Sequence, residues 1–351
     1  MNVTALGSAL FALLLGAPAE PPVPAPLSAT PSSISAMPFE VAIPNTRQVE
    51  FISRVNGHAY ALKLAIPMRP PPPKGYRVLY VLDGDNYFGT ATEAVRMNGN
   101  APDVLVVGIG YPDTAAFAAQ SRARHPAPPQ WLSNLDPVTA ARILERTYDL
   151  TLPASEDVLA GQSVAGLSTS KPSDVGGLDD FLQTIESEVK PRVAAIVPID
   201  RDNQVLFGHS LGGLAVLHAL FTGAGHYRSY IAASPSIWWS NSAVLAGEAQ
   251  FSAGVASGRL APRLLVTMGA DEDLVPKSLM PGIDRNEAAA MLRKYNMVGN
   301  ARDLSSRLRN LRGAAGYEVA DFALFADQDH GHAVWPAMGR AVSFAFSQSA
   351  D

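Results

Sequence analysis

The stretch Val205-Leu206-Phe207-Gly208-His209-Ser210-Leu211-Gly212-Gly213 decides the fold. Three apolar residues without a polar face read as a buried strand. They run straight into a Gly-x-Ser-x-Gly turn, and Leu211 to Thr222 then reads as a helix. Leu214, Leu217 and Phe221 repeat there at helical spacing, and Val216 and Leu220 make the helix apolar on most sides, so it is expected to be buried. A serine between such a strand and such a helix sits on a tight turn with its Oγ raised above the sheet. Small residues two positions before and after it let strand and helix approach closely. The helix start also points its N–H groups at an oxyanion forming there. The five-residue pattern is weak by itself; strand, turn and helix together make Ser210 the candidate nucleophile.

On either side the same rhythm continues. Val78 to Leu82, Val104 to Ile109, Tyr230 to Ala233 and Leu264 to Met268 are further short apolar runs, with Tyr317 to Phe325 as the last. Leu178 to Val189 and Asn286 to Tyr295 carry helical spacing between them. Strands without a polar face, alternating with helices, predict an α/β fold with a mostly parallel central sheet covered by helices on both faces. Gln48 to Ile66 alternates as antiparallel entry strands do. Two segments break the pattern, Tyr111 to Pro137 and Thr151 to Gly177, and read as long irregular loops suited to a lid or binding role. Ser163, in the look-alike Gly161-Gln162-Ser163-Val164-Ala165, has no buried strand before it and is set aside.

The chain has 351 residues, 47% hydrophobic and 17% charged, which allows a large core. A net charge of −5 without a basic run gives no reason to expect nucleic acid as a partner. The lack of cysteine excludes thiol nucleophiles, cysteine zinc sites and disulfides. Ala5 to Leu15 is an apolar stretch too short to span a bilayer comfortably, and Ala17-Pro18-Ala19 supplies small residues for cleavage. Residues 1–19 are therefore expected to be a signal peptide, 20–45 a Pro/Ala/Ser-rich linker, and 46–351 one α/β-hydrolase domain. That organisation implies a secreted protein, periplasmic or extracellular in a bacterium. No integral membrane segment is expected.

In this fold the acid and then the histidine follow the serine along the chain. His218, on the helix behind the turn, and His226, in the turn before the next strand, read as structural or surface residues. Asp329-His330-Gly331-His332 follows the final strand, where the general base belongs, and His330 is preferred because Gly331 permits a tight turn. The His-x-His pair could alternatively bind a metal, but no other histidines cluster with it; neither metal nor cofactor is expected. The acid should lie in Gly269-Ala270-Asp271-Glu272-Asp273, where Asp271, Glu272 and Asp273 all remain open from pattern alone; a serine–histidine dyad is the other possibility. Two oxyanion N–H donors are expected, from Leu211 and, after the first core strand, from Asp85.

Val81-Leu82-Asp83-Gly84, Phe207 to Gly213, Ala233-Ser234-Pro235-Ser236-Ile237-Trp238-Trp239 and Asp329-His330-Gly331 together resemble the putative-esterase family of α/β-hydrolases, nearest to the trilactone siderophore esterases. The resemblance runs from about Thr46 to the C-terminus. It implies a serine carboxylic-ester hydrolase with Ser210 as nucleophile, His330 as base and Glu272, three residues after the strand-end glycine, as acid. It also supports Asp85 as an oxyanion donor. Arg146, in a segment resembling the family's Arg-containing substrate loop, and Trp238 or Trp239 would line the substrate pocket. The expected substrate is a small-molecule ester, a siderophore-like lactone or an aryl ester. Acyl transfer of the mycolyl-transferase type, or an inactive ligand-binding scaffold, are the alternatives. His332, where relatives have a small residue, and the insertion from Ser155 to Gly176 depart from the family pattern.

Overall fold

The computed structural model describes residues 42–161, 171–276 and 284–346. The proposed leader, most of the linker and Ser163 lie outside them. Among the described residues one sheet carries nine strands. In chain order they are β1 (Thr46–Ile52), β2 (Ala59–Ala65), β3 (Tyr76–Val81), β4 (Val104–Gly110), β5 (Ile199–His209), β6 (Ser229–Ala233), β7 (Arg263–Gly269), β8 (Glu318–Val319) and β9 (Ala323–Phe325). Their spatial order is β1-β2-β4-β3-β5-β6-β7-β8, with β9 also on β7. β1–β2 and β2–β4 are antiparallel and every other pairing is parallel. This is the α/β-hydrolase arrangement. It leaves the C-terminal ends of β3, β5, β6 and β7 on one side of the sheet, where crossovers converge and sites form.

The helices that matter for the site are α1 (Gly84–Met97), α2 (Ala115–Arg124), α3 (Pro137–Asp149), α4 (Leu178–Thr184), α5 (Leu211–Gly223), α6 (Arg285–Tyr295), α7 (Met297–Arg309) and α8 (Val334–Phe346). α4 continues through a wider turn at Ile185–Val189 into Lys190–Ile196. Strand residues alternate between two cores. Val78, Tyr80, Leu206 and Tyr230 face one, with Leu214, Leu217 and Leu304 of α5 and α7. Leu79, Val81, Phe207, Ile231 and Leu265 face the other, with Phe88 and Val95 of α1 and Met338 and Val342 of α8. Burial on both faces is why these strands read as unbroken apolar runs.

Three expectations need correction. Tyr111 to Pro137 is not irregular: it contains α2, whose N-cap Thr114 accepts the Phe117 N–H, and a short 3₁₀ turn at Gln130–Asn134. The segment resembling a substrate loop is the end of α3. Asp136 caps that helix by accepting the Val138 and Thr139 N–H groups, and Pro137 stands at its first position. An Asp-Pro start of this kind is a helix signal by itself. Finally, the last strand is two short pieces, β8 and β9, separated by residues 320–322.

Candidate active site

Ser210 follows the last residue of β5 and precedes the first of α5. Its backbone lies at φ 62° and ψ −120°, a strained turn for a residue with a side chain. Close packing holds that turn. A Cβ on Gly208 would lie 2.2 Å from the Gly212 carbonyl oxygen, and one on Gly213 would lie 2.7 Å from that of Ala233. The Ser210 N–H donates to the Ala233 carbonyl at 3.0 Å, and its own carbonyl accepts the Ser236 N–H at 3.2 Å. The segment from Ala233 to Trp239 thus braces the serine turn.

Ser210 Oγ lies 2.9 Å from His330 Nε2, and His330 Nδ1 lies 2.6 Å from Glu272 Oε2. Because Nδ1 faces a carboxylate, it carries the proton, which leaves Nε2 free to accept from the serine hydroxyl. The other Glu272 oxygen accepts the Gly269 N–H at 2.6 Å and the Ser234 hydroxyl at 2.5 Å. Ser210, Glu272 and His330 are all buried. Neither of the other two carboxylates is hydrogen-bonded to His330. Asp273 accepts the N–H groups of Met297 and Val298 at 2.9 and 3.2 Å, capping α7. Asp271 is tied by its main chain to the Gln328 carbonyl and stays partly exposed. His332 is exposed and pairs with Asp329 at 2.7 Å, His218 pairs with Asp179, and His226 lies at the surface near Glu186.

Above Ser210 opens a cavity of about 500 Å³. One wall is α3, contributing Thr139, Arg142, Ile143 and Arg146; the opposite side carries His330, Gly331, Val334 and Trp335. Asp83, Asp85, Asn86 and Tyr87 come from the turn after β3 and the start of α1, joined by Tyr111 and His209. Asp83 sits at φ 54°, which turns the chain sharply so that the first N–H groups of α1, Asp85 among them, have no intrahelical acceptor. Leu211 opens α5 in the same way. The Asp85 carboxylate is held by Lys63 Nζ and the Tyr111 N–H, each at 2.8 Å. Arg146 reaches the cavity as expected but is clamped to Asp83 by two hydrogen bonds. One turn earlier, Arg142 makes, among the described residues, only longer ion pairs, 3.8 Å to Asp85 and 3.5 Å to Asp113.

Neither tryptophan is found in the cavity's lining among the described residues, against expectation. Trp239 is fully buried, and its indole N–H donates to the Leu152 carbonyl at 2.8 Å. Trp238 stacks on Tyr295 of α6 with ring centroids 4.3 Å apart. Both rings are packed against other parts of the chain, the usual fate of large apolar side chains. Sequence reasoning missed Ser234, His209, Tyr87 and Arg142. Signals were there: Ser234 and His209 stand inside the two motifs, and Arg142 lies four residues before Arg146, on the same helix face.

Residues 168–301 match a family described as "Putative esterase". The chain is 30% identical over 309 residues to a ferri-bacillibactin esterase, BesA, of Bacillus subtilis, covering 86% of this chain and 90% of that one. It is 32% identical over 287 residues to a siderophore enterobactin esterase of Emericella nidulans, covering 79% and 84%. Among solved structures, a BES protein from Bacillus cereus superposes with a TM-score of 0.67 at 26% identity, covering 88% of this chain and 99% of that one. With an α/β-hydrolase sheet, a serine–histidine–glutamate chain and these relatives, the protein belongs to the putative-esterase family and is a carboxylic-ester hydrolase.

Proposed function

We propose that this protein is a secreted serine esterase that opens the ester bonds of a siderophore-type lactone through an acyl-enzyme on Ser210. The hydrogen-bonded chain from Ser210 through His330 to Glu272, at the floor of an open cavity, carries the reading. His330 Nε2 takes the hydroxyl proton as Oγ attacks the ester carbonyl. Glu272 holds the imidazole in the required tautomer and stabilises the cation that forms. The negative charge on the carbonyl oxygen is met by the N–H groups of Leu211 and Asp85, donors of a kind that contribute on the order of 3 kcal/mol each. The imidazolium then gives its proton to the leaving alkoxide, and water repeats the sequence on the acyl-enzyme.

The substrate class rests on the named activities of the relatives and on the cavity. Its size suits a drug-sized acyl group. Arg142 supplies a guanidinium that, among the described residues, has no close hydrogen-bonded carboxylate, and Tyr87, Tyr111 and Trp335 supply aromatic surface; together these suit an anionic or acceptor-rich aryl arm. Secretion rests on residues 1–19, and N-terminal sequencing of the exported protein should begin at Glu20.

The test compares wild type with Ser210→Ala on p-nitrophenyl acetate and butyrate, then on a panel of cyclic trilactones. Turnover lost by at least ~10³-fold in the variant, and higher kcat/KM for trilactones than for simple esters, is the expected result. Retained turnover in Ser210→Ala would remove the mechanism. Trilactones processed no better than the simple esters would remove the substrate class.

A further inference from the structure

His209, the residue before the nucleophile, is buried and contacts both α1 and the loop that carries His330. Its Nε2 lies 2.9 Å from the main-chain carbonyl oxygen of His330. A carbonyl only accepts, so Nε2 bears the proton and donates. Its Nδ1 is then an acceptor, and it lies 3.1 Å from the Tyr87 hydroxyl, which donates to it. Tyr87 belongs to α1, the helix whose first turn carries Asp85. The His209 ring also packs against that of His330, with centroids 4.7 Å apart and planes tilted by 40°. One imidazole therefore ties the start of α1, the end of β5 and the loop after β9 to one another.

We propose that His209 is a positioning residue that, fixed in one tautomer by Tyr87, holds the His330 main chain so that the His330 ring stays in line between Glu272 and Ser210. The inference rests on the serine-esterase reading above. Glu272 fixes His330 from the side-chain end only. Gly331 follows His330, so the 330–331 peptide has a flexible neighbour on one side, and the His209 Nε2–H donates directly to its carbonyl oxygen.

The residue type follows from the demands of the position. It must donate at one end, accept at the other and remain uncharged, because a cation there would oppose the imidazolium that forms on His330. Full burial, with His330 and Arg146 nearby, pushes the His209 pKa well below its ordinary value, so the ring stays neutral. Asp83, which lines the same cavity as His209, is clamped to Arg146. Asparagine is too short to reach the carbonyl. Glutamine can set its amide N–H₂ near the position of Nε2.

The experiment uses the mature protein and three variants, His209→Gln, His209→Leu and Tyr87→Phe. It measures kcat and KM on p-nitrophenyl butyrate, the second-order rate of Ser210 labelling by a fluorophosphonate, and thermal unfolding. His209→Leu should lower both kcat and the labelling rate by up to about 10²-fold, the scale of a small misplacement of a catalytic group. KM should change far less. His209→Gln should recover most of both losses, and Tyr87→Phe should fall between wild type and Leu. Wild-type labelling in His209→Leu, or a Gln variant as slow as Leu with the same unfolding temperature, would overturn the proposal. A wild type that neither labels nor turns over would instead remove the esterase reading, which keeps the two failures distinct.

Discussion

Arg146 and Asp83 meet in a two-pronged ion pair, Nε to Oδ1 at 2.6 Å and Nη2 to Oδ2 at 2.9 Å. Through it, the last turn of α3 holds the sharp turn that begins α1. Arg146 borders the cavity, but its donors are committed to fixing the loop that presents Asp85.

Breaking this pair from one side strands a largely buried charge. Arg146→Met should cost about 3–5 kcal/mol of stability by leaving Asp83 unpaired, and kcat should fall with it. Adding Asp83→Asn should recover part of the stability, so that the double variant is less destabilised than the sum of the singles. Urea unfolding of the four proteins measures this; strict additivity would show that the pair is not coupled.

Glu272→Gln tests the acid. One Glu272 oxygen faces the His330 Nδ1–H and the other faces the Gly269 N–H. A glutamine in either orientation puts its N–H₂ against one of these donors. The imidazole is then driven to the wrong tautomer or out of line, and kcat should fall by roughly 10³–10⁴-fold. Asp271→Asn should keep near-wild-type kcat, and a loss as large as that of Glu272→Gln would move the acid to Asp271.

A buried cluster behind α3 predicts how stability varies with pH. His58 sits 3.1 Å from Glu145 and 3.4 Å from Asp149, while His125 sits 3.2 Å from Asp174 and 3.6 Å from Glu145. Burial alone would lower the pKa of both rings. For His58, the nearby Asp149 and Glu145 carboxylates outweigh that and hold it up at about 9; Asp174 and Glu145 do the same for His125, also about 9. Both folded values lie above the ordinary 6.5, so their contribution is fully present below pH 6.5 and is lost as pH rises through about 9. Burial also raises the Asp149 pKa above its ordinary value. The melting temperature should decline between pH 6.5 and 9, and His58→Gln should flatten that slope. An unchanged slope in the variant would show that His58 is not the titrating group.

The two glycines of the serine turn should differ. A Cβ at Gly208 would strike the Gly212 carbonyl oxygen at 2.2 Å, main chain that cannot give way. One at Gly212 would meet nothing nearer than Asp83 Oδ2 at 3.4 Å. Gly208→Ala should yield no soluble folded protein, whereas Gly212→Ala should fold. Circular dichroism and gel filtration of both decide it.

The α/β class, the strand–serine–helix turn and the chain order of serine, acid and histidine were legible in the amino-acid sequence, because each depends on local periodicity and on a motif short enough to read in one stretch. Val205 to Phe207, the apolar helix after Ser210 and the turn at His330 needed no distant partner to be recognised. The choice among Asp271, Glu272 and Asp273 could not be made that way. It depends on which side chain points from the end of β7 toward a histidine 58 residues later in the chain, and Glu272 reaches it while Asp273 turns to cap α7. The fate of Trp238 and Trp239 was equally hidden, since an aromatic pair beside a motif looks the same whether it faces a cavity or a core. Only the tertiary structure brought Arg146 to Asp83 and His209 to both Tyr87 and the His330 carbonyl. These pairs join residues far apart in sequence, and their geometry is fixed by how the crossovers pack on the sheet rather than by any local preference of the chain.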